Sequence, residues 1–253
     1  MFDLTNKTAI ITGGGRGLGK QIAIALGEAG ANIVIASRNL PLCEETCEDL
    51  RSMGVNAVAF ECDITDESAI DHVVKETVTQ FGTIDILVNN SGTSWSGPLL
   101  DVPKDKWEKV LNVNVTGTFL FSRAVAKVMK QQNSGKIINI ASVTGLGGSL
   151  PEVLDTIAYN TSKGAIITMT KDLGVKLARF GIQVNAIAPG FFPTKITKNI
   201  LEQSNYDILG NTPAGRFGNE DDLKGAAVFL ASQASDYMIG HILIIDGGVS
   251  ALA

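Results

Sequence analysis

The sequence predicts a doubly wound α/β fold, in which helices cover both faces of a parallel sheet of about seven strands. Segments with strand and helix patterns alternate along nearly all of the 253 residues. The strand segments, such as residues 7–13 (KTAIITG) and 136–141 (KIINIA), are apolar continuously rather than at every other position. Strands buried on both faces show this pattern, and parallel sheets require such burial.

Seven segments have the strand pattern: residues 7–13, 32–36, 55–60, 84–88, 136–141, 182–188 and 241–245. Helical spacing of apolar residues occurs between them, at residues 18–29, 40–53, 66–81, 102–132, 156–180 and 219–232. No linker, repeat or low-complexity segment separates these elements. We therefore expect a single domain over residues 1–253, with a substrate lid at about 191–217 that carries a short helix.

Composition excludes several classes of function. The net charge is −5 and no run of Lys and Arg is present, which argues against nucleic acid as a partner. The N-terminal residues show no signal peptide, and no apolar run reaches membrane-spanning length, so we expect a cytoplasmic protein without membrane contact. Three cysteines without a CxxC motif and two widely separated histidines predict neither a disulfide framework nor a metal site.

A glycine-rich loop joins the first strand to the first helix. Its glycines follow the spacing G-x-x-x-G-x-G instead of the G-x-G-x-x-G of the common dinucleotide fingerprint. Free backbone N–H groups and the positive end of the helix dipole attract phosphate at such a junction. The loop residues expected to bind a cofactor are Gly13, Gly15, Arg16, Gly17, Leu18 and Gly19.

The end of the second strand predicts which cofactor binds. NAD-type sites place an acidic residue there, which accepts hydrogen bonds from the ribose 2′-hydroxyl. This sequence instead has Ser37 and Arg38, and Arg16 can add a second positive charge. A hydroxyl and guanidinium groups suit a 2′-phosphate, so we predict NADP(H) rather than NAD(H). The alternative is that both arginines are ordinary solvated side chains.

Tyr159 and Lys163 are four residues apart in a helical pattern and therefore share one face of the helix. A phenol keeps its proton to about pH 10 unless a nearby cation favours the phenolate, and Lys163 can supply that cation. Ser142 follows the fifth strand directly, at the edge where ligands bind in parallel sheets. The alternative is a buried ring beside a solvated amine.

These residues resemble the short-chain dehydrogenase/reductase family over essentially the whole chain. Residues 12–19 are similar to its TGxxxGxG motif, residues 89–92 (NNSG) to its NNAG, and residues 159–163 to its YxxxK. Asn114 within NVNVTG and Ser142 within NIASVTG resemble two further motifs. The resemblance implies a Rossmann-like fold, a homotetramer, and an NADP(H)-dependent transfer of hydride between nicotinamide and a carbonyl or secondary alcohol.

The resemblance also implies roles for individual residues. Tyr159 would act as general acid/base, and Ser142 would hydrogen-bond the reacting oxygen. Lys163 would lower the pKa of Tyr159 and bind the nicotinamide ribose, while Asn114 would hold a water that links Lys163 to solvent. Asp63 would meet the adenine. The other implied cofactor contacts are Ile64, Asn89, Ser91, Gly92, Pro189, Gly190 and Thr194.

Two substrate classes stay open, because within the family this sequence resembles both 3-oxoacyl-carrier-protein reductases and gluconate 5-dehydrogenases. Apolar walls from Trp95 and from residues 191–192 favour a 3-oxoacyl or related carbonyl compound, whereas Lys195 and Lys198 suit an acidic substrate. The segment between Ser142 and Tyr159 is longer than the family commonly shows, so we expect residues 143–156 to form an extended loop over the substrate. A rival function is a catalytically silent, NADP-sensing binding protein on the same fold.

Overall fold

The computed structural model describes residues 1–193 and 207–252. Within these residues the strands are β1 (Thr8–Thr12), β2 (Asn32–Ser37), β3 (Ala57–Glu61), β4 (Ile86–Asn89), β5 (Gly135–Ile140), β6 (Ile182–Pro189) and β7 (Ile242–Ile245). The α-helices are α1 (Gly17–Glu28), α2 (Leu40–Ser52), α3 (Glu67–Phe81), α4 (Lys104–Leu111), α5 (Thr118–Gln132), α6 (Ile157–Leu177) and α7 (Lys224–Ala231).

All seven strands belong to one parallel sheet with the order β3-β2-β1-β4-β5-β6-β7. Successive side chains of a strand point to opposite faces, and both faces of this sheet are covered. In β1, Ile11 packs with α1, α2 and α7, whereas Ile10 packs on the other face with α3 and α5. The continuous apolar strands therefore have the origin that the sequence predicted, and the α/β fold class is confirmed.

The strand order reverses between β1 and β4. The chain runs from β1 outward to β3, then crosses back to β4 and continues outward to β7. Connections from the two neighbouring strands leave in opposite directions, which opens a crevice at their carboxyl ends. Ligands of doubly wound sheets bind in that crevice, so the topology fixes where a functional site is expected.

The helix predicted at residues 102–132 differs from the structure. A 3-10 turn at Leu99–Asp101 precedes α4, and a six-residue π-helical segment, Asn112–Gly117, separates α4 from α5. The π-helical segment, whose turn is wider than that of an α-helix, packs closely at its last residue. A Cβ at Gly117 would lie 2.7 Å from a side-chain carbon of Ile64. Short π-helical segments occur frequently at functional sites. Apolar periodicity alone does not distinguish such a segment from an α-helix.

The start of the last helix was also predicted too early, at residue 219 instead of Lys224. The side chain of Asn219 accepts a hydrogen bond from the Asp221 N–H at 2.9 Å, and its own N–H donates to Asp222 at 2.7 Å. These local bonds favour a turn over a helix.

Residues 207–217 of the predicted lid form turns without a helix. The division into one domain and a lid stays a prediction.

Candidate functional site

The glycine loop between β1 and α1 has the shape that a phosphate site needs. Gly13 and Gly17 adopt φ values of +67° and +55°, the left-handed region that favours glycine. A Cβ at Gly19 would clash with the Asn90 side chain and lie 2.5 Å from the Gly13 carbonyl oxygen. Arg16, the N-cap of α1, makes no side-chain cap, and the first turn has no acidic residue. The N–H groups of that turn are therefore available to an anion.

Two residues that the sequence analysis did not assign to the site hold this loop in place. Asn90 Nδ2 donates to the carbonyl oxygens of Thr12 at 3.0 Å and Gly13 at 3.1 Å. Thr12 Oγ1 accepts from the backbone N–H groups of Asn90 at 3.0 Å and Ser91 at 3.1 Å. These bonds tie the end of β4 to the glycine loop across the crevice. The sequence signal that could have identified Thr12 and Asn90 is their position at the ends of two predicted strands.

Arg38 and Asp63 lie side by side where β2 and β3 end. Arg38 Nη1 is 3.9 Å from Asp63 Oδ2, and the Arg38 side chain is 67% exposed. Burial acts to raise the pKa of Asp63, but hydrogen bonds from Thr65 and the charge of Arg38 outweigh it and lower the pKa. Ser37 ends β2 beside them, and Arg16 is exposed on the glycine loop. One guanidinium and one carboxylate therefore lie at the strand ends where adenosine is predicted to bind.

Asn89, predicted to contact the cofactor, turns its side chain into the protein interior. It is 5% exposed, and its Nδ2 donates to Ser122 Oγ at 2.8 Å and Asn139 Oδ1 at 2.9 Å. Its Oδ1 is buried and has no hydrogen-bond partner among the described residues. Asn139 in turn donates to Thr170 at 2.9 Å. Asn89 therefore links the sheet to α5 and α6, and its contact with a cofactor stays a prediction.

The remaining predicted cofactor residues lie along the same edge of the sheet or beyond the described chain. Those at or just after strand ends are Ser91, Gly92, Pro189 and Gly190. Ile64 is 6% exposed and packs against Gly117. Thr194, with Lys195 and Lys198, falls outside the residues that the structure describes.

Three of the four predicted catalytic groups meet at the carboxyl end of β5. The Ser142 hydroxyl lies near enough to the Tyr159 phenol to lower its pKa. Lys163 Nζ lies 5.4 Å from the centroid of the Tyr159 ring, one helical turn away on α6. The ammonium group also donates to the carbonyl oxygen of Ile140, the last residue of β5, at 2.7 Å. Strand end and helix together fix the positions of a phenol, a hydroxyl and an amine.

Burial controls the proton equilibria of this cluster. It raises the pKa of Tyr159 to about 12, and the nearby Ser142 hydroxyl opposes that rise. Burial also lowers the pKa of Lys163 to about 8. Lost hydration of the phenolate is the largest effect on the pKa of Tyr159. The lowering of that pKa by Lys163 stays a prediction. Near neutral pH the phenol is protonated and can act as an acid.

Asn114 lies in the π-helical segment Asn112–Gly117 and is 2% exposed. Its Oδ1 accepts from the Thr93 N–H at 2.8 Å, and its Nδ2 donates to the Thr93 carbonyl and Ser162 Oγ, both at 2.9 Å. The side chain therefore fixes the loop after β4 against α6. The water-mediated link between Asn114 and Lys163 stays a prediction.

The extended loop between Ser142 and Tyr159 is folded against its surroundings. It borders a cavity of about 470 Å³ that Leu99, Leu146, Ser149 and Asn160 help to line. The Gly97 N–H donates to the Asp155 carbonyl at 3.0 Å, which ties the loop to the segment after β4. The indole of Trp95 packs against that same glycine. A second cavity of about 220 Å³ includes Phe191 and Phe192 among its walls.

These features fit a nicotinamide dinucleotide. The uncapped helix N-terminus and the close-packed glycines form a cradle for a pyrophosphate, and Arg38 stands at the neighbouring strand end. None of the described helices is long and apolar enough to cross a bilayer. The described residues contain no cluster of three or more His, Cys, Asp or Glu side chains that could bind a metal ion.

This chain is similar to known proteins over nearly its whole length. A family model described as enoyl-(acyl carrier protein) reductase matches residues 13–250. The chain is 40% identical over 252 residues to the 5-keto-D-gluconate 5-reductase of Escherichia coli (strain K12), covering 98% of this chain and 97% of that protein. It is 42% identical over 250 residues to the 2-dehydro-3-deoxy-D-gluconate 5-dehydrogenase of Pseudoalteromonas atlantica (strain T6c / ATCC BAA-1087), with 98% and 97% covered.

A solved structure shows the same fold. It is a gluconate 5-dehydrogenase from Burkholderia cenocepacia J2315 in complex with NADP and tartrate, which matches with a TM-score of 0.94 and 37% identity. The match covers 100% of this chain and 98% of the other. The likeness therefore extends over every element that builds the site.

Proposed function

Because this chain belongs to the short-chain dehydrogenase/reductase family, we propose that it interconverts a keto sugar acid and the corresponding secondary alcohol with NADP(H). The chain is an oxidoreductase by its family. The substrate class is carried by one observation, the identity of 40–42% over 98% of the chain to two proteins named for sugar acids. The 3-oxoacyl compound that the apolar walls favoured is not supported by these relatives.

In the reducing direction, Tyr159 donates its proton to the carbonyl oxygen of the substrate. Its pKa of about 12 keeps the phenol protonated at neutral pH, as an acid requires. Ser142 donates a hydrogen bond to the same oxygen while negative charge develops on it. A nicotinamide cofactor, when bound, supplies the hydride in this direction and accepts it in the other. The product is a secondary alcohol, and the tyrosine regains its proton from solvent.

Lys163 assists from the same helix. Its ammonium group has three N–H donors, and the structure assigns one of them to Ile140. The others are available to ribose hydroxyls of a bound cofactor. In the oxidising direction, its charge favours the Tyr159 phenolate, which must accept the proton of the alcohol. Asn114 keeps the loop after β4 in place for both directions, through its bonds to Thr93.

A substrate panel tests the proposal most directly. Purified protein is assayed with NADPH and NADH against 5-keto-D-gluconate, 2-dehydro-3-deoxy-D-gluconate and a 3-oxoacyl thioester. We expect the highest kcat/KM with a keto sugar acid. Preferential turnover of the thioester would instead support the earlier expectation. Cofactor binding without oxidation of NADPH by any carbonyl compound would favour the catalytically silent binding protein.

Arg38→Ala tests the choice of NADP(H). We expect KM for NADP to rise about tenfold or more, because hydrogen bonds to charged groups contribute about 1.5–3 kcal/mol, while KM for NAD changes little. Arg123→Ala is the matched control, since Arg123 is also exposed but pairs with Glu67 between α5 and α3. A wild-type KM that is lower for NAD than for NADP would refute this assignment.

We also propose that the chain forms a homotetramer in which the β7 side of the molecule is one of the contact surfaces. β7 ends the sheet, and large apolar side chains are exposed on or near that edge at Val175, Tyr237, Ile239 and Ile244. Apolar surface grouped in this way is typical of a self-association surface. Static light scattering of the purified protein should give four times the chain mass of 26.7 kDa, and a monomer mass would contradict the proposal.

A further inference from the structure

Thr144 makes two hydrogen bonds to the hydroxyl of Ser142. Its backbone N–H donates to Ser142 Oγ at 3.2 Å, and its own Oγ1 donates to the same oxygen at 3.0 Å. Ser142 is the N-cap of a short 3-10 helix, Val143–Gly145, which brings the side chain of Thr144 back over the serine. Neither of these bonds belongs to the contacts described above for the catalytic cluster.

A serine hydroxyl has one proton to donate and two lone pairs that accept. Thr144 occupies both lone pairs of Ser142, so the hydroxyl can take part in a further hydrogen bond only as a donor. The Ser142 hydroxyl also acts on Tyr159, whose pKa it lowers. Donation toward a phenol oxygen stabilises the phenolate form and therefore lowers the pKa of the phenol.

The turn that carries Thr144 is packed tightly on the catalytic helix. A Cβ at Gly145 would lie 2.6 Å from the carbonyl carbon of Lys163 and 2.8 Å from its oxygen. The turn therefore packs directly on the backbone of α6 at Lys163 and Gly164. Thr144 also lines the cavity of about 470 Å³ under the extended loop. Thr144 is thus bonded to the serine and borders that cavity.

We propose that Thr144 is a positioning residue, whose two donors make Ser142 an obligate hydrogen-bond donor toward Tyr159 and the reacting oxygen. This inference rests on the proposed oxidoreductase function. In reduction, the Ser142 proton points at the substrate carbonyl oxygen without a competing orientation. In oxidation, the same proton points at the alcohol oxygen, whose own proton is then directed to the tyrosine. Each donation by Thr144 also polarises the serine O–H group and strengthens it as a donor.

A titration of Tyr159 tests the proposal without any substrate. The protein is labelled with difluorotyrosine, which ionises at lower pH than tyrosine, and fluorine NMR follows each phenol. The Tyr159 signal is assigned by its loss in Tyr159→Phe. We expect Thr144→Val to raise the pKa of residue 159 by up to about one unit, Thr144→Ser to restore it, and Ser142→Ala to raise it at least as far. Lys163 is the charged group that faces the ring, and it is retained in all three variants.

Kinetics give the second measurement. With whichever substrate the wild type turns over, Thr144→Val should lower kcat about threefold to tenfold, leave KM for the cofactor unchanged, and move the rise of the oxidation rate to higher pH. Thr144→Ser should recover the wild-type profile. Thr161→Val is the matched control, because Thr161 lines the same cavity from α6.

An unchanged or lowered pKa of residue 159 in Thr144→Val would overturn the inference, since it would mean that Ser142 donates to Thr144 in the wild type. A kcat loss that Thr144→Ser does not restore would also overturn it, because the threonine would then act through packing alone. If the sugar acids are not turned over, the proposed substrate fails while the NMR titration still decides the role of Thr144.

Discussion

Tyr159→Phe is expected to lower kcat by roughly 10²–10⁴-fold, the range that one general acid/base contributes. The substitution removes the phenol proton that the substrate oxygen would receive. The ring itself remains, so its packing beside Lys163 is conserved. Affinity for NADP should therefore stay within about twofold of wild type, as fluorescence titration of NADPH can measure. A loss in kcat without a loss in cofactor binding assigns the tyrosine to the chemical step.

Tyr237→Phe is the control, because Tyr237 lies outside the catalytic cluster on the proposed self-association surface, where phenylalanine keeps the aromatic ring. It should keep wild-type kcat and KM. A near-wild-type rate for Tyr159→Phe would reject the mechanism, whichever substrate is used. The pH dependence gives a further check. Reduction needs the protonated phenol and should fall only at high pH, whereas oxidation needs the phenolate and should rise with pH.

The sheet was predictable because its strands are buried on both faces. Ile10 and Ile11 point to opposite sides of β1 and both contact the core, so residues 9–11 of the strand are all apolar and the pattern is visible in the sequence. The π-helical segment was not predictable, because its cause is long-range. The packing of Gly117 on Ile64 and the bonds of Asn114 to Thr93 join residues distant in the chain.

The candidate site shows the same division. Motif spacing predicted Ser142, Tyr159 and Lys163, and the structure brings them together at the end of β5. Which polar atoms face inward was not predictable. Asn89 and Asn90 are adjacent in one motif. The side chain of Asn89 donates a hydrogen bond to the buried Asn139, whereas that of Asn90 donates to the glycine loop at Gly13. The depth of burial that sets the pKa of Tyr159 likewise depends on elements that meet only in the fold.

Lys163→Met is expected to lower kcat about 10²-fold or more and at the same time to stabilise the fold. Lys163 is 6% exposed, and burial lowers its pKa from 10.5 to about 8, which means that the charged form is destabilised in the native state. Methionine keeps an apolar stem of similar length without the charge. We expect the free energy of unfolding to rise by about 1–2 kcal/mol at neutral pH, after the loss of the bond to Ile140 is subtracted.

The gain in stability should depend on pH in a defined direction. Between pH 8 and 10.5 the unfolded lysine binds a proton that the native lysine has released, so wild-type stability rises with pH over this window. The advantage of Lys163→Met should therefore be largest below pH 8 and shrink toward pH 10.5. Thermal unfolding across this range measures it. A constant difference between variant and wild type would show that packing, and not the buried charge, determines the effect.

Lys136→Met supplies the contrast that separates a functional lysine from a structural one. Lys136 is almost as buried, at 9% exposed, but its ammonium group lies 2.7 Å from Asp236 Oδ1 and also donates to Ser235. Removing it breaks an ion pair, so stability should fall and kcat should not change. Lys163 has no such carboxylate partner in the described part of the chain. If the fold keeps this buried ammonium group without a carboxylate partner for the chemistry of Tyr159, the two variants should change stability with opposite signs, and only Lys163→Met should lower kcat.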